Sequence, residues 1–234
     1  MTGHRGSMPI GWSAGERPIE PDDGLLLQSI ADREQQRLAA IAAGKKAAAP
    51  VVEELRQAGF DVIYIEDLYQ KKLQYAAAIP VLLKWLPQVH VRNAKWQIVT
   101  ALGVRWAKPV AAAPLIREFR ADPSLRWEIA DMLCRVADAS VLDDIVMLVN
   151  DPESGTSRQM LTLCLGQIND PRSVAALPPL LRDDTVAGHA VMAAGKLRAI
   201  GLRPLIEPFL GNPKAWVRAE AKKALARIDR AVAP

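Results

Sequence analysis

The chain has 234 residues, of which 50% are apolar and 24% charged, so it carries enough apolar material to bury a core. Aromatic residues make up only 5%, and alanine and leucine supply most of the rest, a balance that predicts an all-α protein. Two cysteines, Cys134 and Cys164, exclude a disulfide framework and are expected to be reduced core residues. A net charge of +4 is weak evidence for a nucleic-acid partner.

The first 22 residues are rich in glycine and proline and lack an apolar period, so we predict a disordered tail over residues 1–22. Within it, the sequence leaves open whether residues 1–7 are native, since Met8 is an alternative start.

An N-terminal helical segment with a connector is predicted over residues 23–72. The apolar spacing gives one helix from Leu25 to Ala43 and a second from Val51 to Ala58, with Gly44 ending the first and Gly59 the second. The following stretch, residues 60–65, alternates like a strand. It has no evident pairing partner, and we therefore interpret it as a connector.

Residues 73–234 repeat themselves at a period of about 30 residues, which is typical of a solenoid. One leucine recurs in each repeat at matched positions: Leu102, Leu133, Leu165, Leu197 and Leu225. Seven residues before the leucine, four of the five repeats carry a basic residue: Lys95, Arg126, Arg158 and Arg218. In the fourth repeat this position is Ala190, beside His189.

The repeat predicts five helical hairpins. The first helices are expected over residues 75–87, 110–120, 141–150, 173–182 and 202–210. The second helices are expected over residues 92–106, 124–137, 156–168, 187–199 and 214–229. The turns between the two helices of a hairpin contain residues that cap a following helix, at Asp122-Pro123, Asp151-Pro152, Asp183-Asp184 and Asn212-Pro213.

These features resemble HEAT repeats, in particular the short bacterial form found in phycobilin lyases. The resemblance rests on the leucine period, the Asp-Pro turns, Val217-Arg218, Ala101 to Gly103, and prolines early in the first helices: Pro80, Pro114, Pro178 and Pro204. It covers about 160 residues and implies an α-solenoid, an α-α superhelix whose concave side is lined by the second helices. The same repeat serves adaptors, nucleic-acid binders and lyase subunits, so it does not select a function.

The repeat also makes physical sense by itself. A single hairpin cannot bury its apolar stripe, so it must stack on the next one, and the leucines then form one core. The basic residue near the start of each second helix is predicted to bond to turn carbonyls or Asp carboxylates of adjacent repeats. The result would be a ladder of polar contacts between units.

Catalytic motifs are missing from the sequence. It contains no phosphate-binding glycine loop, paired-cysteine metal motif or zinc-protease helix motif, and His4, His90 and His189 are far apart. We therefore predict no catalytic residues, no metal site and no cofactor. The absence of a long apolar run and of a signal peptide predicts a cytoplasmic location and no membrane partner.

One candidate binding face lies on the second helix of the second repeat. Trp127, Asp131 and Arg135 are spaced i, i+4, i+8 and should share one face. In residue type they resemble the lesion-binding residues of HEAT-like DNA alkylpurine glycosylases. The alternative is packing of the tryptophan beside an ordinary i,i+4 ion pair between the other two.

A second candidate is a basic cluster interleaved with Trp85, Trp96 and Trp106. Basic groups would neutralise phosphates and indoles would stack on bases, whereas the alternative is a solvated surface with Trp85 in the core. The cluster consists of Lys84, Arg92, Lys95, Arg105, Lys108, Arg117 and Arg120.

The sequence thus predicts a non-enzymatic scaffold that binds a protein partner through its concave surface. A nucleic-acid binder, including a glycosylase-like lesion reader, is the alternative, and a lyase-type or chaperone-type subunit is the third. The partner's identity and the oligomeric state stay open. The candidate binding residues are Arg92, Lys95, Trp96, Arg105, Arg126, Trp127, Asp131 and Arg135.

Overall fold

The computed structural model describes the backbone of residues 21–232 and the side chains of residues 28–231. The predicted tail, residues 1–22, lies almost entirely outside this range. Two units are distinguished, the first ending at Ile41 and the second running from Ala42 onward. All described secondary structure is helical, which confirms the prediction of an all-α solenoid.

Helix α1 runs from Pro21 to Gln57 without interruption, and the predicted pair of shorter helices is therefore wrong. Gly44 does not end a helix. It is buried, and a methyl group added to it would lie 3.2 Å from Cβ of Asn93, so this glycine permits close packing. Pro50 lies inside the helix, although proline removes one backbone hydrogen bond there.

The end of α1 agrees with the sequence. Gly59 adopts a left-handed conformation with φ of 92°, and the Phe60 amide donates to the Leu55 carbonyl at 3.0 Å, which closes the helix. Residues 60–66 form no strand and consist of irregular backbone, bends and a turn. The short helix α2, Asp67–Gln70, follows.

The rest of the described chain consists of paired helices. The first helices are α3 (Ile79–Trp85), α5 (Ala112–Ala121), α7 (Leu142–Asn150), α9 (Pro171–Ala175) with α10 (Leu177–Leu180), and α12 (Arg203–Ile206). The second helices are α4 (Arg92–Leu102), α6 (Arg126–Val136), α8 (Arg158–Leu165), α11 (Ala187–Lys196) and α13 (Ala215–Val232). The fourth first helix is split and α12 is short, because prolines occur at Pro178, Pro179, Pro204 and Pro208.

Each second helix packs on its own first helix and on the next second helix, so the second helices form one continuous layer. Glycines bring the layer together in its C-terminal half. A Cβ on Gly166 would lie 2.8 Å from Cα of Ala193, and one on Gly195 would lie 2.6 Å from Cα of Ala224. Both distances are shorter than atomic contact allows, which means that these helices touch backbone to backbone.

A single core cluster extends from Ala48 to Ile228. The recurring leucines contribute to it as predicted, with Leu102, Leu133 and Leu165 fully buried and Leu225 7% exposed. Leu197 is half-buried. The repeated stripe therefore forms one continuous interior through the solenoid.

Side chains cap the turns of successive repeats in the same way. The Oδ1 atoms of Asp122, Asp151, Asp183 and Asn212 each accept from the backbone N–H two residues ahead at 2.9 to 3.0 Å. Short side chains of this type satisfy the free amides at the start of a helix. The predicted capping role of these turns is confirmed.

The predicted polar ladder is also present. Arg126 donates to the carbonyls of Phe119, in its own repeat, and Glu153, in the next. In the same manner Arg158 donates to the Val149 carbonyl and to the Asp183 carboxylate, both at 2.6 Å. Each guanidinium thereby ties two successive turns together.

The ends of the ladder differ from its middle. Lys95 binds Glu118 of the next first helix at 2.8 Å, with Asp122 at 3.7 Å. Arg218 donates to the carbonyls of Asn212 and Pro213 in the turn before its own helix. At the fourth position, Ala190 has no polar side chain, and the neighbouring His189 ring instead lies 5.4 Å from the Trp216 ring, centroid to centroid.

Candidate functional site

Two tryptophans stand out on the layer of second helices. Trp96 in α4 and Trp127 in α6 each follow a ladder residue and precede the repeat leucine by six positions. They remain 37% and 44% exposed, although the residue before each of them, Lys95 or Arg126, is used for the ladder. Equivalent positions of two packed helices therefore present two indoles to solvent.

Asp131 and Arg135 lie on the same helix as Trp127. Arg135 Nη2 is 3.4 Å from Asp131 Oδ2, and the arginine side chain is 58% exposed. This is the i,i+4 ion pair that the sequence offered as an alternative to a lesion-binding constellation. An exposed pair of this kind leaves most of the guanidinium free to bind other groups.

Lys95 requires a correction. It was included among the binding residues, but it is 5% exposed, and its ammonium group is committed to Glu118 and Asp122. A partner cannot reach this charge. The lysine belongs to the interior because the carboxylates that neutralise it are supplied by the next helix and turn.

Arg92 and Arg126 are also engaged. Arg92 donates to Glu128 at 2.8 Å and to the Ser124 carbonyl, and Arg126 stacks on Phe119 while serving in the ladder. Arg92 is still half-exposed. These two residues therefore join repeats, and their outer edges form part of the surface around the tryptophans.

The predicted basic cluster does not form a uniform positive surface. Four of its seven members are in ion pairs: Lys84 with Glu54, Arg92 with Glu128, Lys95 with Glu118, and Arg120 with Asp144. Arg105 stands 6.0 Å from the centre of the Trp106 ring. Because carboxylates neutralise most of the cluster, its geometry does not favour phosphate contacts over protein contacts.

Trp85 and Trp106 take structural roles. Trp85 is half-buried and its indole N–H donates to Glu54 at 2.7 Å, where the Lys84 ammonium also binds. Hydrogen bonds from Lys84 and from Trp85 lower the pKa of the Glu54 carboxyl. Trp106 packs edge-on against Tyr75 at 5.3 Å. Neither indole offers a free ring face comparable to those of Trp96 and Trp127.

Sequence reasoning missed a small cavity beside α4. It has a volume of about 180 Å³ and is lined by Lys45, Ala48, Ala49, Val52, Arg56, Ile63, Tyr64 and Gln97. Ile63 and Tyr64 are 62% and 40% exposed, and the Lys45 ammonium lies 5.6 Å from the tyrosine ring centre. The alternation of residues 60–65 was the available signal, since it placed apolar side chains on a segment with no strand partner.

A larger cavity was also missed. It has a volume of about 480 Å³, lies between α11 and α13, and is lined by Gly195, Lys196, Arg198, Arg227 and Arg230. The last helix is basic, with Arg218, Lys222, Lys223, Arg227 and Arg230, but nothing in the sequence indicates that the end of α11 adds two more cations beside it.

Within the described residues, no group of three or more His, Cys, Asp or Glu side chains is placed to hold a metal ion. A hydrogen bond with Cys134 and burial both raise the pKa of the Cys164 thiol, which opposes formation of a reactive thiolate. In the described part of the chain, no helix combines the length and apolar character needed to cross a membrane.

Part of the chain that forms the repeated hairpins matches a known protein family. A family model described as HEAT repeats matches residues 112–187, which span α5 to the start of α11. Residues 112–187 therefore contain HEAT repeats. HEAT repeats generally serve as scaffolds for protein interactions. The comparison with curated proteins gave no match. The count of five HEAT repeats, and the likeness to the short bacterial form, stay predictions because the match covers residues 112–187.

Proposed function

We propose that this protein is a non-enzymatic HEAT-repeat scaffold that binds a protein partner through the face formed by its second helices. The observation that carries the proposal is the exposure of Trp96 and Trp127 at equivalent positions of two packed helices. Single exposed apolar residues are common, but two indoles in the same repeat position form a surface. Tryptophan is also the residue most enriched among those that dominate binding energy.

The polar residues around the indoles suit a protein interface. Arg135 is largely free beside Asp131, and the exposed edge of Arg92 lies on the same layer of helices. An apolar centre with a charged rim is the usual arrangement of a protein-binding patch. The rigid stack of repeats holds these groups in place, so little ordering is required of the scaffold on binding.

The cavity beside α4 extends the proposed surface. Tyr64 and Gln97 both line it, and Gln97 directly follows Trp96 in α4. Its floor contains the buried side chains of Ala48 and Val52, so an apolar side chain of a partner would be desolvated there. We propose this cavity as the pocket for an anchor residue, with Trp96 and Trp127 as the adjoining contact surface.

The experiment is affinity capture from an extract of the source cells, with quantification of the retained proteins. The test variant is Trp96→Ala/Trp127→Ala, and the control is Met147→Ala/Ile200→Ala, which removes two exposed apolar side chains outside the second helices. A partner should be retained by the wild type and the control and lost from the test variant. With purified partner, the loss of a tryptophan at a dominant contact should weaken binding by roughly thirtyfold.

The opposite result is equally clear. If every retained protein binds the tryptophan variant as well as the wild type, the second-helix face is not the binding surface. Fluorescence polarisation with short DNA and RNA at low and physiological salt tests the nucleic-acid alternative. Salt-sensitive binding that is lost in Arg92→Glu/Arg105→Glu would indicate that the partner is a nucleic acid rather than a protein.

A further inference from the structure

The cavity between α11 and α13 is surrounded by positive charge. Four of its five lining residues are cations, Lys196 and Arg198 from the end of α11 and Arg227 and Arg230 from α13. No acidic residue lines it. The nearest carboxylate in sequence, Asp229, forms an ion pair with Arg203 at 2.9 Å and therefore does not neutralise the cations of the cavity.

Several cations between neighbouring helices of the described chain are paired with carboxylates, whereas Arg126 and Arg218 bind backbone carbonyls. Arg92, Arg120 and Arg158 each bind a carboxylate of the next repeat at 2.6 to 2.8 Å, and Arg172 binds Asp143 of the preceding repeat at 3.0 Å. Within the described residues, the four cavity cations form no ion pair. The Lys196 ammonium contacts the Gln167 side-chain oxygen, and Arg230 Nε donates to the Ala226 carbonyl at 3.0 Å. The cavity thus brings four cations together without the carboxylates that neutralise Arg92, Arg120, Arg158 and Arg172.

Helix stabilisation explains part of this arrangement. Lys196 ends α11, Arg198 lies just beyond it, and Arg230 lies in the last turn of α13, where cations interact favourably with the helix dipole. Arg227 is outside that last turn, however, and the dipole does not account for the convergence of four cations on one open space.

The backbone conformation of Arg198 is unfavourable for a residue other than glycine. Its backbone is in the left-handed region with φ of 52°, at the position where a helix usually ends in glycine. The Ala199 amide donates to the Ala194 carbonyl at 3.0 Å, the bond that closes a helix in this conformation. Glycine would adopt this backbone without strain, and an arginine there places a guanidinium at the cavity instead.

We propose that this cavity is a binding site for a multiply charged phosphate anion. Guanidinium groups bind phosphate oxygens in pairs through their planar N–H donors, and an ammonium adds a point charge. Four solvent-exposed cations around one pocket match the charge of a diphosphate or a pair of phosphates better than that of a single carboxylate. The site is separate from the tryptophan face, and it stands whether or not that face binds a protein.

The test is calorimetric titration with inorganic pyrophosphate in a phosphate-free buffer, with citrate as a carboxylate control at matched ionic strength. The test variant is Arg198→Gly/Arg227→Gln. The control, Arg117→Gln/Arg182→Gln, removes the same charge at two exposed arginines that do not line the cavity. We expect the test variant to bind pyrophosphate about tenfold more weakly or worse, and the control to bind within about twofold of wild type.

A thermal melt separates loss of the site from loss of the fold. Arg198→Gly should raise the midpoint of unfolding without anion, because glycine relieves the left-handed backbone, and should at the same time remove the stabilisation by pyrophosphate. Equal binding by both double variants, or equal binding of citrate and pyrophosphate, would overturn the proposal.

Two further ligands distinguish the sources of the phosphate. A nucleoside diphosphate represents a free compound, and a peptide with two phosphoserines represents a phosphorylated protein. Preference for either one, lost in Arg198→Gly/Arg227→Gln, supports the site and names its source. If neither ligand binds and pyrophosphate fails as well, the cations serve the helix ends alone.

Discussion

The Nζ atom of Lys95 lies 2.8 Å from Oε2 of Glu118, and both side chains are less than a tenth exposed. The two residues come from adjacent repeats, one from second helix α4 and one from first helix α5. Asp122 approaches the same ammonium at 3.7 Å, so the lysine is enclosed by negative groups of its neighbour. Lys95, which the sequence indicates as a binding residue, therefore connects two adjacent repeats.

Breaking this pair from one side should strongly destabilise the protein. Lys95→Met leaves Glu118 buried without its partner, and we expect a loss of about 3–5 kcal/mol in the free energy of unfolding. The double variant Lys95→Met/Glu118→Leu removes both charges and should recover most of that loss. Urea unfolding of the single and double variants measures both values. Equal stability of Lys95→Met and wild type would show that the pair is solvated in solution.

The contact between helices at Gly166 and Gly195 should not tolerate a methyl group. Gly166→Ala and Gly195→Ala place Cβ within 2.8 Å and 2.6 Å of neighbouring backbone atoms, so the helices must separate. We expect each change to cost about 1–3 kcal/mol. Gly201→Ala is the matched control, since its Cβ would meet no atom within 4 Å. Thermal melts should order the variants accordingly, and a loss in the control as large as in the others would contradict close packing as the cause.

His189 should make stability depend on pH. Burial lowers the pKa of this half-buried imidazole below its usual value near 6.5, so the folded protein holds it neutral. Its contribution is therefore complete above about pH 6.5 and is lost as the pH falls toward the folded pKa. We expect the melting temperature of the wild type to fall more between pH 7.5 and 5.5 than that of His189→Gln.

The control for this effect is His90→Gln, because His90 is exposed. It should follow the wild type across the same pH range. If His189→Gln and wild type lose stability in parallel, the histidine is not the group responsible.

The two cysteines should differ in reactivity. Cys134 is half-buried with its Sγ 3.2 Å from the Met160 carbonyl, whereas Cys164 is fully buried and its pKa is raised by the hydrogen bond with Cys134 and by burial. At pH 8, iodoacetamide should modify Cys134 slowly and leave Cys164 intact, as peptide mass spectrometry would show. In urea both should react. Modification of Cys164 in the folded protein at the rate of Cys134 would indicate that α6 and α8 separate readily.

The repeat register was predictable because it depends only on residues that recur at regular spacings along the sequence. A leucine such as Leu133, a basic residue seven positions before it and an aspartate in the turn recur at matched positions, and each has a local structural cause. The polar ladder was predictable from the same matched positions of the repeats. Its chemistry depends on which groups adjacent turns supply, and a regular stack brings the same groups together each time.

The features that sequence missed depend on packing between distant residues. Gly44 looks like a helix stop, and its true role appears when Asn93 of α4 packs against it. Lys95 looks like Arg126, but only the structure shows that its partner carboxylates close over it. The cationic cavity depends on the packing of two helices, because the close contact at Gly195 brings Lys196 and Arg227 to the same cavity.

The ladder contacts of Arg126 and Arg158 run from each repeat to the one that follows it in sequence. Arg126 and Arg158 each need an acceptor in the repeat that follows them along the chain. During synthesis the N-terminal repeats emerge first, so each of these two hairpins carries a donor whose acceptor has not yet been made. Both repeats are then completed by the arrival of the next one, and this part of the stack would add units in order with one incomplete contact at a time.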